Sequence, residues 1–210
     1  VAPGMLYISQ PTEYGTVYSL EELKQLSEVC HNHDIPLYVD GARLGYALGA
    51  ESADFTLKEL SQHADVYYIG GTKVGTLFGE AVVVTNRKLL KNLFPLVKQH
   101  GALLAKGRLL GVQFATLFRN GLYERIGAHG VRLAMRIRKA FERAGYGPII
   151  DSQTNQQFFR LPNSVIDNLR QEASFDYWGP RGEVDSVVRF VTSWYTTDED
   201  IDKLESLLGV

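Results

Sequence analysis

The chain has 210 residues, of which 45% are apolar and 22% are charged, and its formal net charge is −2 at pH 7. This composition fits one large or two small globular domains with a packed core, and it gives no general attraction to nucleic acid or to anionic membranes. The sequence shows no apolar run of membrane-spanning length and no signal-like start, and its single cysteine, Cys30, excludes an internal disulfide. We therefore expect a cytoplasmic protein without nucleic-acid or membrane partners.

The first part of the chain predicts a strand, a helix and a second strand. Residues 5–9 (MLYIS) form a strand-like run. Ser19 stands three residues before Glu22, which is the spacing of a capping box at the start of a helix that we expect over 20–33. The apolar run 36–39 (PLYV) follows the helix. This order indicates a right-handed βαβ unit.

Two short apolar runs each lead to a charged residue. The run 36–39 ends at Asp40, and the run 65–69 leads through GGT to Lys73. Ligands of open α/β sheets bind at the carboxyl ends of the strands, so we expect Asp40 and Lys73 to meet in one crevice. Taken singly, Asp-Gly is also typical of a hairpin turn, and GGTK is also typical of a loop with a solvated lysine. Their pairing at two strand ends favours the crevice.

The remaining pattern predicts an α/β protein. We expect a mostly parallel sheet with helices over residues 1–120, followed by a smaller α+β domain over 121–210. The segment 87–145 is helical in character, and long helices are expected there. The further predicted strands are 78–85, which reads as buried, 149–150, 157–161 and 187–191. The further predicted helices are 44–48, 56–64, 164–173 and 198–208.

Three sequence segments together resemble one enzyme family. VDGAR at 39–43, GTKVG at 71–75 and VRFVT at 188–192 resemble the threonine aldolase / β-eliminating lyase family. The resemblance covers nearly the whole chain and corresponds to the second half to two thirds of a family member. It implies the fold of the aspartate aminotransferases, known as fold type I, and pyridoxal phosphate as the cofactor.

The resemblance also implies an activity. A lyase of this family cleaves a β-hydroxy or β-substituted amino acid, either by aldol cleavage to glycine and an aldehyde or by β-elimination. The sequence leaves these two reactions open. Another reaction of the same fold, such as amino transfer, and a non-catalytic domain that keeps the fold are the alternatives.

The resemblance assigns roles to four residues. It implies that Lys73 carries the cofactor as a Schiff base, that Asp40 holds the pyridine nitrogen, and that Arg43 and Arg189 meet the substrate carboxylate, with Arg43 also beside the cofactor. Arg189 interrupts an apolar strand, where an arginine needs an anionic partner, and a guanidinium offers two parallel donors to a carboxylate. The alternative is an arginine on the wet face of a half-exposed strand.

Glu13 marks a departure from the family pattern. Aldolases typically place Asn-Thr-His after the first of these strands, whereas this chain has Pro-Thr-Glu at 11–13. We expect Glu13 to overhang the cofactor and to act as a catalytic acid or base on the β-substituent of the substrate, with partial burial raising its pKa. The alternative is a solvated loop carboxylate.

The resemblance also bears on the assembly. A small amino acid is the expected substrate, and a homodimer or homotetramer is the expected assembly. The phosphate-gripping loop and the ring-stacking aromatic residue are expected upstream of Val1, supplied by the same gene product or by another chain. In the family, the segment with His100, Lys106 and Arg108 lies near the neighbouring subunit's site, so these cations either help to neutralise the phosphate or form a solvated helix end. The five histidines show no metal-ligand spacing, and no metal site is expected.

Overall fold

The computed structural model describes residues 3–210 and shows alternating strands and helices. The strands are β1 (Leu6–Ser9), β2 (Leu37–Asp40), β3 (Val66–Gly70), β4 (Glu80–Val84), β5 (Gln156–Pro162), β6 (Asp176–Tyr177) and β7 (Asp185–Val191). The helices are α1 (Leu20–Asn32), α2 (Leu44–Leu48), α3 (Leu57–His63), α4 (Leu93–Gln99), α5 (Arg108–Leu117), α6 (Leu122–Arg143), α7 (Asn163–Leu169) and α8 (Asp198–Leu208).

The first sheet has the strand order β1-β2-β3-β4. Strands β1, β2 and β3 run parallel, and β4 pairs antiparallel with β3. Helix α1 connects β1 to β2 and begins with the predicted capping box, in which Ser19 and Glu22 each bond the backbone of the other. Its buried face includes Cys30, whose thiol is fully enclosed. The predicted βαβ unit is therefore confirmed.

The last strand of this sheet differs from the prediction. The sequence predicts a buried strand at 78–85, whereas β4 is shorter and half exposed, with Val82 63% accessible. Within residues 3–210, β4 is hydrogen-bonded on one side only, to β3. A valine-rich run reports β-propensity, and it does not by itself distinguish an edge strand from a central one.

The helical segment also differs from the prediction. Within the described chain, α6 with 22 residues is the one long helix between residues 87 and 145, and shorter helices with glycine-containing breaks precede it. No helix of residues 3–210 combines the length and the apolar character needed to cross a bilayer.

The C-terminal sheet has the strand order β5-β7-β6 and is antiparallel. The predicted strand at 149–150 is wrong, because Pro148 makes only an isolated bridge to Phe159. Proline lacks the backbone N–H that a regular ladder requires. The third strand is instead β6, which has only two residues and is therefore too short to show a periodic pattern in the sequence.

Helix α6 contributes to both hydrophobic clusters. Tyr123 near its start packs in the cluster formed with the first sheet. Leu133, Ile137 and Phe141 further along pack in the cluster formed with the C-terminal sheet. The division into domains 1–120 and 121–210 stays a prediction, and the helix that opens the second domain is shared between the two cores.

Helices α2 and α6 are in backbone contact. A Cβ atom added at Gly127 of α6 would lie 1.8 Å from the carbonyl oxygen of Gly45 in α2. A Cβ added at Gly49, just after α2, would lie 2.4 Å from the backbone nitrogen of Ala128. Glycine is needed at these positions because any side chain would push the two helices apart.

We expect Gly127→Ala to lower the free energy of unfolding by about 1–3 kcal/mol, since the added methyl group overpacks the helix crossing. Gly111→Ala in α5 is the matched control, because nothing lies within 4 Å of its Cβ position. There, alanine should be neutral or should stabilise the helix by up to about 1 kcal/mol. Urea denaturation of the two variants measures both values, and equal effects would contradict the contact.

Candidate active site

The carboxyl ends of β2 and β3 lie in direct backbone contact. The N–H of Gly70 donates to the carbonyl oxygen of Gly41 at 2.9 Å. A Cβ on Gly41 would lie 1.9 Å from the carbonyl oxygen of Tyr68, and a Cβ on Gly70 would lie 2.3 Å from that of Ala42. The segments that carry Asp40 and Lys73 therefore leave the same edge of the sheet side by side, as the sequence predicts.

Asp40 is held by hydrogen bonds to both carboxylate oxygens. The Tyr68 hydroxyl and the Ala42 N–H donate to Oδ1, the latter at 2.9 Å, and the Tyr7 hydroxyl donates to Oδ2. Burial raises the pKa of Asp40, but these donors together with the charge of Lys73 outweigh it and leave the pKa below its ordinary value. The structure thus keeps Asp40 ionised.

Sequence reasoning missed Tyr7 and Tyr68, the two tyrosines whose hydroxyls hold Asp40. Tyr38 lies two residues before Asp40, so both point to one face of the sheet. Tyr7 is the register partner of Tyr38 on β1, and their rings stack with centroids 5.3 Å apart. The hydrogen bond to Asp40 raises the pKa of Tyr7 to about 12, which keeps this donor protonated at neutral pH. The alternation of side chains along the paired strands β1 and β2 could have indicated that Tyr7 lies on the same face of the sheet as Asp40.

Lys73 lies in a single turn of 3-10 helix, Thr72–Val74, directly after β3. Within residues 3–210 it forms no salt bridge, but its positive charge lowers the pKa of both Asp40 and Glu80. Glu80, at the start of β4, accepts the Gly71 N–H at 2.7 Å, and burial raises the net pKa of this carboxyl. Glu80 is a further carboxylate near Lys73 that the sequence did not single out.

Glu13 lies beside Arg43. The guanidinium Nη1 of Arg43 is 3.4 Å from Glu13 Oε1, a long ion pair in which the Glu13 side chain is 60% exposed. The sequence predicts partial burial beside a neutral ligand, whereas the described chain shows an exposed carboxylate beside a cation. The Nε atom of Arg43 is buried and has no hydrogen-bond partner among the described residues.

Arg189 lies on the face of β7 that points away from the C-terminal core cluster. Its Nη2 donates to Asp176 Oδ2 at 2.6 Å, its Nη1 donates to Gln156 Oε1 at 2.9 Å, and its guanidinium lies 4.9 Å from the ring centroid of Trp178. With 18% of its side chain exposed, Arg189 is not on a wet face. It meets an anion, as the sequence predicts, and that anion belongs to the chain itself.

Gln156 joins the two arginine neighbourhoods. Its side-chain oxygen accepts from Arg189, and its Nε2 donates to the backbone oxygen of Glu13 at 3.2 Å. Gln156 is fully buried. Glu13, Arg43 and Arg189 therefore belong to one connected network, whose member Arg43 lies three residues after Asp40. By contrast, His100, Lys106 and Arg108 are exposed, and their two alternatives stay open.

Comparison with known proteins assigns the chain to a family. Its sequence matches the family model described as beta-eliminating lyase over residues 2–163. The chain belongs to the β-eliminating lyase family. The low specificity L-threonine aldolase of Pseudomonas sp. is 31% identical over 208 residues, which are 96% of this chain and 58% of the relative. The chain therefore spans little more than half the length of this curated relative.

Solved structures agree with this assignment. The threonine aldolase of Leishmania major matches with a TM-score of 0.97 and 37% identity, covering 100% of this chain and 61% of that one. An aminotransferase from Staphylococcus aureus shares the fold, with a TM-score of 0.71 and 15% identity. The match covers 98% of this chain and 57% of the aminotransferase chain. The predicted α/β fold of the type I class is confirmed.

The residues present fit pyridoxal phosphate, the cofactor expected for this family. An ionised carboxylate suits a protonated pyridine nitrogen, and Asp40 is kept ionised by its donors. An amine without a salt bridge in the described chain stands at the same edge, on Lys73. The roles of Lys73, Asp40, Arg43, Arg189 and Glu13 stay predictions, and the structure supplies their placement.

We expect Tyr68→Phe to raise the pKa of Asp40, because the variant removes a donor that stabilises the carboxylate. The lowered pKa of Asp40 in the folded state stabilises the fold above the unfolded-state pKa of this group, and that contribution is lost as the pH falls through the folded-state value. The variant should therefore lose less stability in acid than the parent. A ¹³C NMR titration of the aspartate carboxyl carbons measures the shift.

Tyr67→Phe is the control for this measurement. Tyr67 neighbours Tyr68 on β3, but its hydroxyl bonds Ser61 at 2.7 Å. An equal pKa change in both variants would show that the Tyr68 hydroxyl does not set the pKa of Asp40.

Proposed function

We propose that this chain forms part of a pyridoxal-phosphate-dependent lyase that cleaves a β-hydroxy amino acid to glycine and an aldehyde, as a threonine aldolase does. The observation that carries the proposal is the placement of Asp40 and Lys73 at one edge of the sheet, with the carboxylate held ionised. Family membership and the threonine aldolase relatives support it.

Lys73 and Asp40 form the cofactor-binding part of the proposal. When bound, pyridoxal phosphate supplies an electron-withdrawing ring that stabilises negative charge at the α-carbon of the substrate. The amine of Lys73 is the proposed nucleophile that attaches the cofactor, and an amine freed from the cofactor can also move a proton at the α-carbon. Asp40 holds a proton on the pyridine nitrogen by charge, and Tyr7 and Tyr68 orient its carboxylate.

Arg43 and Arg189 form the proposed carboxylate-binding part. Both guanidinium groups already contact carboxylates of the chain, Glu13 and Asp176 respectively. The Arg43–Glu13 contact is long at 3.4 Å, so a substrate carboxylate is a stronger partner for Arg43 than Glu13 is. Asp176 and Gln156 instead fix the plane of the Arg189 guanidinium, which orients its remaining N–H groups.

Glu13 is the proposed base. The hydrogen bond from Gln156 to its backbone oxygen fixes its loop, and its exposed carboxylate makes only the long contact with Arg43. A carboxylate beside the bound amino acid can accept the proton of the β-hydroxyl as the bond between the α- and β-carbons breaks. The same residue acting as an acid would assist loss of a β-substituent, which is the elimination alternative.

The exposed apolar side chains between residues 77 and 118 support a homo-oligomer. Leu77 is 87% exposed, and Phe94 and Val112 are each more than 60% exposed. Apolar surface of this extent is typical of an interface. We propose that this segment packs against a second subunit, in a homodimer or homotetramer. A reducing, cytoplasmic setting is also proposed, and the free thiol of Cys30 supports it.

We expect Lys73→Ala to lose nearly all turnover of β-hydroxy amino acids while the fold is retained, since an exposed lysine contributes little to the core. Borohydride reduction with pyridoxal phosphate, followed by peptide mass mapping, should label Lys73 in the parent. The control is Lys58→Ala, which replaces an exposed lysine of α3 and should leave turnover unchanged. Retention of full activity by Lys73→Ala would overturn the assignment.

We expect Glu13→Gln to lower kcat by about 10²–10⁴-fold, the usual contribution of a general base, with a much smaller change in KM. The amide keeps the shape of the side chain but cannot accept the proton. Steady-state kinetics with threonine and with other β-hydroxy amino acids provide the measurement. Wild-type kinetics on every accepted substrate would leave Glu13 as a solvated loop carboxylate.

A further inference from the structure

Two fully buried tyrosines approach the turn that carries Lys73. Tyr46 belongs to α2 and Tyr123 to α6, and neither side chain is exposed to solvent. Both place their hydroxyl groups against backbone carbonyls of the segment from Gly70 to Lys73. A buried hydroxyl requires a hydrogen-bond partner, and here the partners flank the catalytic candidate.

The Tyr46 hydroxyl contacts the backbone of Lys73 itself. It donates a hydrogen bond to the Lys73 carbonyl oxygen. Burial raises the pKa of Tyr46 to about 12, so that it remains a donor at neutral pH, although the Trp194 backbone amide and the charge of Arg43 act in the opposite direction. Tyr46 is thus a hydrogen-bond donor to the turn that carries Lys73.

Tyr123 holds the other end of the same turn. Its hydroxyl donates to the Gly70 carbonyl oxygen at 3.0 Å. Glu80 adds a third contact, because it accepts the N–H of Gly71. The backbone from Gly70 to Lys73 is therefore held by side chains from α2, α6 and β4.

Glycines at the helix crossing make room for both rings. A Cβ on Gly130 of α6 would lie 2.6 Å from the Tyr46 ring, and a Cβ on Gly45 of α2 would lie 3.2 Å from the Tyr123 ring. The close contact of α2 and α6 described above thus determines where the two hydroxyls lie. Each ring is enclosed by helix backbone, which leaves its hydroxyl little freedom to move.

We propose that Tyr46 is a positioning residue for Lys73. The inference rests on the proposed function, since it concerns the amine that would carry the cofactor. The hydrogen bond from the Tyr46 hydroxyl to the Lys73 carbonyl oxygen fixes the backbone from which the lysine side chain extends.

Removing the Tyr46 hydroxyl should loosen the turn that carries Lys73. Replacing Tyr46 by phenylalanine keeps the ring and its packing but leaves a buried backbone carbonyl without this donor. The turn then samples more conformations, and the position of the Lys73 amine becomes less fixed. If Tyr46 serves only to fill the core, phenylalanine will have no effect on Lys73.

The experiment compares Tyr46→Phe with Tyr67→Phe in the purified protein. Tyr67 is also a buried tyrosine with a bonded hydroxyl, but its partner is Ser61. The first measurement is hydrogen–deuterium exchange of the 70–76 peptide without cofactor. The second is the concentration of pyridoxal phosphate that half-saturates borohydride-trapped labelling of Lys73, with Lys58 as the internal reference.

We expect Tyr46→Phe to speed exchange in 70–76 and to weaken labelling of Lys73 roughly tenfold, the factor that corresponds to one buried hydrogen bond. Tyr67→Phe should match the parent in both measurements. If Tyr46→Phe labels Lys73 as readily as Tyr67→Phe does, or leaves the exchange of 70–76 unchanged, the inference is overturned and the proposed function stands. Failure of the parent itself to label Lys73 above Lys58 would instead overturn the proposed function.

Discussion

The arrangement of the site depends on the contact between the Gly41 and Gly70 backbones. Two parallel strands end here, and the chain after each one turns away within a residue or two. Only glycine, which has no Cβ, allows the Tyr68 carbonyl oxygen to approach Gly41 and the Ala42 carbonyl oxygen to approach Gly70 so closely. This contact converts a separation of 33 positions between Asp40 and Lys73 into a common edge. The fold around it, from the α2–α6 crossing to the tyrosine hydroxyls, holds that edge in place.

Charge balance is the second organising feature of the site. Each cationic group of the network faces a carboxylate of the chain: Arg43 faces Glu13, and Arg189 faces Asp176. The two contacts differ in geometry, because the first is long, whereas the second is short and is supported by Gln156 and by the Trp178 ring. In the proposed function, Arg43 exchanges Glu13 for the substrate carboxylate, and Arg189 keeps its orientation.

The sequence predicted some elements well and others poorly, for identifiable reasons. Helices α1 and α8 carry capping boxes and a regular apolar stripe, so their positions were predicted closely. The C-terminal strands around Arg189 were also predicted, because β-branched and aromatic residues are concentrated there. The run at 149–150 has apolar residues but follows a proline, and β6 has too few residues for any period. Local pattern is a poor guide where one hydrogen-bonded neighbour, rather than the segment itself, decides whether a strand forms.

The sequence by itself indicated the family, the fold class and the candidate residues. Short motifs contain Asp40, Arg43, Lys73 and Arg189, and Glu13 marks a departure from the family pattern. Only the tertiary structure decided what those residues contact. The hydroxyls on Asp40, the carboxylate on Arg189 and the buried tyrosines beside the Lys73 turn come from segments up to 53 positions away, as with Tyr123 and Gly70. Such contacts depend on which backbones approach closely enough, and close approach depends on packing of the whole chain rather than on any local pattern.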